Sequence, residues 1–328
     1  MQETNTTGHL ETIAIAGANG RLGRVIGEAF QAAGWRVIAI TRSGRCGTLE
    51  KLENVECRKA DAMNAAELAA AADGAGFIFN ALNPAYTDWP RFCLPMARNV
   101  IAAAKATGAI HLFPGNVYNY GTTIAPVLSP STPKVPDHRK AVIREEMEES
   151  FRHEASGNAV KTILIRAGDF FGGTGTGSWF DLLIANKVEQ GRFTYPGDPE
   201  AAHSWAYLPD LAQAFVAIAG KAPALPTYTE VNFAGHTLTG NEMHAAAESA
   251  IGQKLRLNRF NWLPVRIASL FIPMMRELAD MRYLWFTPHR LDGTALEKIT
   301  GPLLQTPVQD AVRKSLADIG KPGLRAAA

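Results

Sequence analysis

Cysteine is scarce: Cys46, Cys57 and Cys93 are the only three in 328 residues. Their spacing matches no metal-binding pattern and an odd number does not pair off evenly. The reading is therefore a chain without a disulfide framework, in a reduced cytoplasm, with no metal. Charge of one sign is also lacking, because 33 Lys and Arg stand against 31 Asp and Glu for a net charge of +2. Neutralising many phosphates needs a basic excess, so nucleic acid is not an expected partner. No run reaches ~18 uncharged apolar residues, so no membrane span is expected. Residues 262–286 come nearest, but Arg266, Arg276, Glu277, Asp280 and Arg282 interrupt them. Residues 1–9 contain no apolar signal-peptide core and read as a frayed tail. What remains is 47% hydrophobic, enough for one large domain or two unequal ones.

The informative stretch begins with Thr12, Ile13, Ala14, Ile15 and Ala16, the pattern of a fully buried strand. Gly17, Ala18, Asn19, Gly20, Arg21, Leu22 and Gly23 follow as a G-x-x-G-x-x-G turn. Then Leu22, Val25, Ile26, Ala29, Phe30 and Ala33 recur at helical spacing, and Gly34 closes the run. Strand, glycine turn and helix in that order make a dinucleotide site. Gly17 permits the sharp turn, Gly20 lets a pyrophosphate approach the backbone, and Gly23 lets the helix pack on the sheet. The helix N-terminus offers its free N–H groups to the phosphates.

The second strand, residues 36–40, ends in Thr41, Arg42, Ser43, Gly44 and Arg45. An acid at this strand end would bind both ribose hydroxyls and favour NAD. Arg42 stands there instead, with Arg45 and Arg21 near, and a guanidinium pairs bidentately with a 2′-phosphate. The expected cofactor is NADP, with NAD possible; the plainer alternative leaves Arg42 a surface charge stacked on adenine. Asp61 is placed to accept from the adenine amino group or to serve the loop alone. Asn64, with Glu67 three residues on, caps a helix. Residues 76–82 form the fourth strand, whose end brings the small Ala81 and Leu82 under the ribose and pyrophosphate. Residues 90–107 read as a helix that Pro95 either kinks or delays. Residues 110–113 and 161–166 are further strands, and Asp137 is expected to cap the charged helix between them. Ser178 opens a short helix over 179–187, a helix follows Pro209, 229–234 form a strand, and Thr239 with Glu242 is a capping box.

Several landmarks in order carry a likeness: Gly17, Gly20 and Gly23; Asn80, Ala81 and Leu82; residues 117–121, similar to a Val-Tyr-Gly motif; 166–172, similar to Arg-Pro-x-x-x-Tyr-Gly; and 207–212, similar to His-Val-x-Asp-x-Ala. Over residues 11–320 the chain resembles the extended short-chain dehydrogenase/reductase superfamily, the NAD-dependent epimerase/dehydratase group. The resemblance implies an α/β fold, a doubly wound parallel Rossmann sheet with a smaller C-terminal substrate lobe. The cofactor domain would take 10–170 with 205–234, and the lobe 171–204 with 235–328. A small-molecule substrate would lie between them, and a homodimer is possible.

Members of that superfamily use a Ser or Thr after the fifth strand and a Tyr-x-x-x-Lys pair on the next helix. A phenol of pKa ~10 needs a neighbouring cation to act near neutrality. Here Asn116 takes the Ser/Thr position and the helix has no tyrosine. The best register sets Lys140 at the tyrosine and Arg144 at the lysine, one turn apart on one face. Three readings follow. The first is an atypical NADPH-dependent reductase of a small carbonyl compound. There Lys140 would polarise the carbonyl or donate the proton, Arg144 hold the ribose and Asn116 orient the substrate oxygen. The second is a nucleotide-sugar epimerase or dehydratase with retained NAD, in which Tyr118 or Tyr120 substitutes for the missing phenol. The third is a non-catalytic NADP(H)-binding sensor or assembly protein. On so charged a helix, Lys140 and Arg144 are equally expected to pair with Glu145 and Glu148. Trp179, Phe180, His203, Trp205 and Tyr207 line the pocket or form the core of the lobe. Residues 263–286, rich in Met and aromatics, form a lid, a subunit contact, an interfacial surface or a helix packed on its own domain.

Overall fold

The computed structural model describes residues 11–321, so the expected N-terminal tail lies outside the described residues. The first half contains β1 (Thr12–Ala16), α1 (Arg21–Ala32), β2 (Arg36–Thr41), β3 (Val55–Lys59), α2 (Ala65–Ala71), β4 (Phe77–Asn80), α3 (Trp89–Thr107), β5 (Ile110–Gly115), β6 (Val127–Leu128), α4 (Arg139–Ser156), β7 (Thr162–Arg166) and β8 (Asp169–Phe171). The second half contains β9 (Arg192–Tyr195), β10 (His203–Tyr207), α5 (Leu208–Ala219), β11 (Tyr228–Asn232), β12 (His236–Leu238), α6 (Gly240–Ile251), β13 (Arg256–Arg259), α7 (Trp262–Ala268), α8 (Pro273–Asp280), β14 (Arg290–Leu291), α9 (Thr294–Thr300) and α10 (Val308–Asp318).

Seven strands form one parallel sheet in the order β11-β7-β5-β4-β1-β2-β3. The strand order reverses between β1 and β4, so the carboxyl ends of those two strands open a crevice there. This is the expected doubly wound α/β architecture. Helices cover both faces, which is why β1 is buried at every position and carries no polar alternation. One face packs Ile38, Ile78, Phe113, Phe151 and Trp89 into a core. The other packs Ile15, Phe30, Phe79 and Phe215. A third core gathers Phe171, Phe180, Trp205, Trp262 and Trp285 around a small sheet of β12, β10 and β8.

Several local expectations need correction. His203–Tyr207, which the sequence leaves without an assigned element, is a strand, β10, antiparallel to β12 and parallel to β8. Residues 179–187 give a single wide helical turn, Phe180–Ile184, in place of a short helix. His138 caps α4, because Asp137 is engaged by the N–H and hydroxyl of Thr122. The helix α3 begins before Pro95 and runs through it, with Pro90 in its first turn. Cys46 and Cys57 are joined as a disulfide, contrary to the expectation of unpaired thiols; β2 and β3 are neighbours and bring their Cα atoms within 5.9 Å. Cys93 is free and buried.

One buried ion network locks the far half of the sheet. The Arg166 guanidinium on β7 donates to both carboxylate oxygens of Glu148 on α4, at 3.1 and 2.7 Å, and to Glu230 on β11 at 3.2 and 2.5 Å. Lys134 donates to Glu148 at 3.1 Å and Glu230 at 2.8 Å, so the charges balance. Burial pushes the Glu148 carboxyl up, but the Arg166 and Lys134 charges outweigh it and hold it below the usual range. Its contribution to stability is therefore present above the ordinary carboxylate pKa and is lost as pH falls through the lowered value. Arg166→Met leaves Glu148 and Glu230 with the Lys134 ammonium and the more distant Arg152, 3.9 Å from Glu148, and should cost about 3–5 kcal/mol in urea unfolding at neutral pH. The deficit should shrink on acidification, as Glu148 protonates; a deficit constant with pH would contradict this account.

Candidate functional site

The chain leaves β1 at Ala16 and turns at Gly17, whose φ of +88° lies where glycine is favoured. A Cβ there would press within 3.2 Å of the Ala81 carbonyl and 3.3 Å of the Leu82 side chain. Gly23 is tighter still, since a Cβ on it would overlap the Gly17 carbonyl oxygen. The two glycines let α1 start directly against the end of β1. Gly20 is its N-cap and provides no side-chain cap, and its first turn carries no acid. The N–H groups and the positive dipole end are thus left for a ligand, beside Ala81 and Leu82. Ala18 is buried, and Asn19 donates to the Arg45 carbonyl at 2.8 Å, tying the glycine loop to the loop after β2. These residues fit a dinucleotide pyrophosphate, through a cradle that side chains would fill.

Arg42, at the end of β2, is exposed and has no hydrogen-bond or ion-pair partner among the described residues. Arg45 is engaged by Glu50 at 2.9 Å. The Arg21 side chain, expected near the nucleotide, instead pairs with Asp181 at 2.7 Å and leaves only its backbone N–H at the helix end. Asp61 is exposed; one of its oxygens accepts from the Met63 N–H at 3.0 Å, and the other is not used in this way.

The second group lies at the carboxyl edge of β5 and β7 and on α4. The Asn116 side-chain oxygen accepts from the Tyr118 N–H at 3.0 Å, leaving its amide N–H groups available. The Tyr118 and Tyr86 hydroxyls are 3.0 Å apart. Tyr120 donates to the Ser129 carbonyl at 3.2 Å and packs on Arg166, away from that pair. Lys140 does not pair with its own helix. It is buried and bound to the carboxylate of Glu277 on α8, and to the Glu277 carbonyl at 2.9 Å. Its ammonium also lies 5.0 Å from the Tyr86 ring. Arg144 is buried between the rings of Trp89 and Phe113, at 4.7 and 5.4 Å, and its Nε has no partner among the described residues. Neither cation makes an i,i+4 pair; Glu145 takes Arg152, and Glu148 takes Arg166.

Other groups at this end were given no role in the chemistry by the sequence, although His203 was placed at the pocket or in the core of the lobe. Asp169 directly follows the β7 edge, and its carboxylate meets the His203 ring nitrogen at 2.8 Å. Tyr283 bonds the His138 ring at 3.0 Å. Burial pushes the Tyr86, Tyr118 and Tyr283 phenols up, and the Asp169 charge adds to this. Asp169 lay within the 166–172 motif and His203 among the aromatics of the lobe; what no local pattern carried was their pairing across 34 residues. Residues 263–286 divide. Glu277, Met281, Leu284 and Trp285 are buried against the fold, while Leu263, Ile267, Leu270 and Phe271 are exposed.

The family model for the NmrA-like family matches residues 9–294, and the chain belongs to that family. None of the curated proteins compared with it matches. Among solved structures it is similar to UDP-glucose 4-epimerase from Bifidobacterium longum in complex with NAD+ and UDP, at 15% identity and a TM-score of 0.74, over 95% of this chain and 99% of that one. It is similar to WbmH of Bordetella bronchiseptica in complex with NAD+, at 16% identity and a TM-score of 0.73, over 96% and 100%. It is also similar to UDP-glucuronic acid 4-epimerase from Bacillus cereus in complex with UDP-glucuronic acid and NAD, at 14% identity and a TM-score of 0.75, over 94% and 98%. At these identities the likeness shows the fold, and with the family match it bears out the expected superfamily.

The Lys140–Glu277 pair permits a decisive substitution series. Glu277→Leu strands a buried ammonium and should cost about 3–5 kcal/mol in thermal or urea unfolding. Lys140→Met added to it should restore most of that loss, because the two charges leave the interior together. Affinity of the double variant for a nicotinamide dinucleotide should stay within threefold of the parent. A tenfold loss would mean that Lys140 holds the nucleotide.

Proposed function

We propose that this protein is an NADP(H)-dependent oxidoreductase that reduces a small carbonyl compound or a related substrate, through a site without Tyr-x-x-x-Lys. The observation that carries the reading is Arg42, an exposed and unpaired guanidinium where an acid would select NAD. The glycine loop, the uncapped N-terminus of α1, Ala81 and Leu82 would hold the nucleotide, with Asp61 at its adenine end. Bound, the reduced nucleotide supplies a hydride. Arg144, a buried cation with no carboxylate partner among the described residues, would hold the nicotinamide ribose. Asn116 would orient the substrate oxygen through its amide N–H groups. Lys140 acts as the tie between α4 and α8 rather than as the proton donor, since Glu277 takes its ammonium.

The substrate would lie between a cofactor domain, 10–170 with 205–234, and a lobe, 171–204 with 235–328. A separate core around Phe171, Phe180 and Trp285 supports a distinct lobe, although Trp205 and Tyr207 share that core and Met281, Leu284 and Leu291 pack on the cofactor-domain core. A second reading, an epimerase with retained NAD, draws on the solved structures with NAD bound. It lacks the helix tyrosine, and the paired phenols of Tyr86 and Tyr118 are raised rather than lowered.

Fluorescence titration with NADPH, NADH, NADP+ and NAD+ tests the choice. NADPH should bind more tightly than NADH, and Arg42→Ala should weaken NADPH by about 1–3 kcal/mol while leaving NADH unchanged. Equal binding of both nucleotides would move the weight to the epimerase, and binding of neither would remove the oxidoreductase reading.

A further inference from the structure

His203 sits between two acceptors. Its Nδ1 lies 3.3 Å from the Leu284 carbonyl oxygen, and its Nε2 lies 2.8 Å from Asp169 Oδ2. The Leu284 carbonyl oxygen only accepts, so that contact is a hydrogen bond when Nδ1 carries the hydrogen. The second contact then needs a hydrogen as well. Either Nε2 carries it and the pair is an imidazolium with a carboxylate, or Asp169 keeps its proton and donates it to Nε2. Both arrangements hold one proton more than a neutral imidazole with a free carboxylate.

The surroundings suit such a store. The His203 ring is stacked on Trp285, 4.4 Å between centroids and 5° from parallel. His289 packs on its edge at 4.8 Å; burial first, then the His203 charge, push His289 down to about 4, so it is neutral near pH 7. The His203 side chain is 3% exposed and that of Asp169 is 19% exposed, so Asp169 is the outward member. It opens β8, three residues past the carboxyl end of β7, and its charge acts on the phenols of Tyr86 and Tyr118, the latter two residues from Asn116. The remaining titratable groups that feel its charge are the phenols of Tyr86, Tyr118, Tyr195 and Tyr283, all raised by burial first. A raised phenol is a poorer acid, so these tyrosines serve as neutral hydrogen-bond donors.

We infer that the Asp169–His203 pair is the proton source of this site, doing the work that a helix tyrosine does elsewhere in the superfamily. The inference rests on the function proposed above. In the reduction, the carbonyl carbon takes a hydride from the reduced nicotinamide nucleotide and the C=O π bond breaks. The oxygen takes the proton of the pair through Asp169, giving an alcohol and the oxidised nucleotide. The pair is left as neutral His203 and ionised Asp169 and regains a proton from solvent. Asp169 is then a catalytic residue, and His203 positions and recharges it.

The test combines nitrogen-15 NMR of the histidine rings with kinetics, on the full chain with NADP+ or NADPH present. His203 resonances are assigned by their loss in His203→Gln. In the parent, the ring at neutral pH should show the pair's extra proton, either as two N–H groups or as Nε2 hydrogen-bonded to a protonated Asp169. In Asp169→Asn it should become an ordinary neutral ring. With NADPH and a panel of aldehydes and ketones, Asp169→Asn should lower kcat at least 100-fold and abolish the fall in rate at high pH, while NADPH affinity changes less than threefold. Asp169→Glu, which keeps the acid, should recover part of the rate. A His203 ring whose titration is unchanged by Asp169→Asn overturns the inference whether or not turnover is found, and so does a kcat within threefold of the parent. Failure of the parent to bind NADPH overturns the proposed function instead, and the NMR result stands apart from it.

Discussion

The close approach of two glycines is the constraint on which the site depends. Gly23 in the first turn of α1 leaves no room for a Cβ against the Gly17 carbonyl, and Gly17 itself has none to spare against Ala81. This contact sets α1 directly on the end of β1 and points an uncapped helix terminus at the crevice where the strand order reverses. A methyl group at either position would push the helix outward, and the backbone N–H groups would no longer meet a phosphate at the strand end. The apolar sheet holds this arrangement, and a helix terminus of this kind favours anions.

The charged interior of the molecule is mostly structural. Arg166 and Lys134 neutralise Glu148 and Glu230 between α4, β7 and β11, and Lys140 with Glu277 ties α4 to α8. Buried pairs of this kind add little net stability over apolar packing, yet breaking one partner is costly. Their effect is to fix geometry: α4 keeps its inward face toward the carboxyl edge of β5 and β7. On that face Arg144 is the exception, a cation stacked on aromatic rings with no acid paired to it among the described residues. A cation left without an acid invites a polar ligand, whereas Lys140 already has its partner.

What could be read from the chain alone follows the range of the interactions. β1, the glycine turn and α1 are contiguous, and so are the Asn64 cap and the Thr239 capping box, so local pattern sufficed for all of them. Thr239 and Glu242 bond each other's backbone, a purely local event. The strand β10 was missed because its residues, His203 to Tyr207, are buried on both faces and show no alternation. The Asp137 cap failed because a tertiary bond to Thr122 competes for the same carboxylate. The partner of Lys140 lies 137 residues away and that of Asp169 34 away, so no periodicity could reveal either. The disulfide needed the pairing of β2 with β3 before Cys46 and Cys57 could be seen as neighbours.

The most direct measurement is a crystal structure of the protein grown with NADP+. The account requires the pyrophosphate at the N-terminus of α1, within hydrogen-bond distance of the backbone N–H groups after Gly20, and the 2′-phosphate on Arg42. It also requires the nicotinamide end to lie toward Asn116 and Asp169. A nucleotide bound elsewhere, or one whose 2′-phosphate points to solvent with Arg42 turned away, would contradict it.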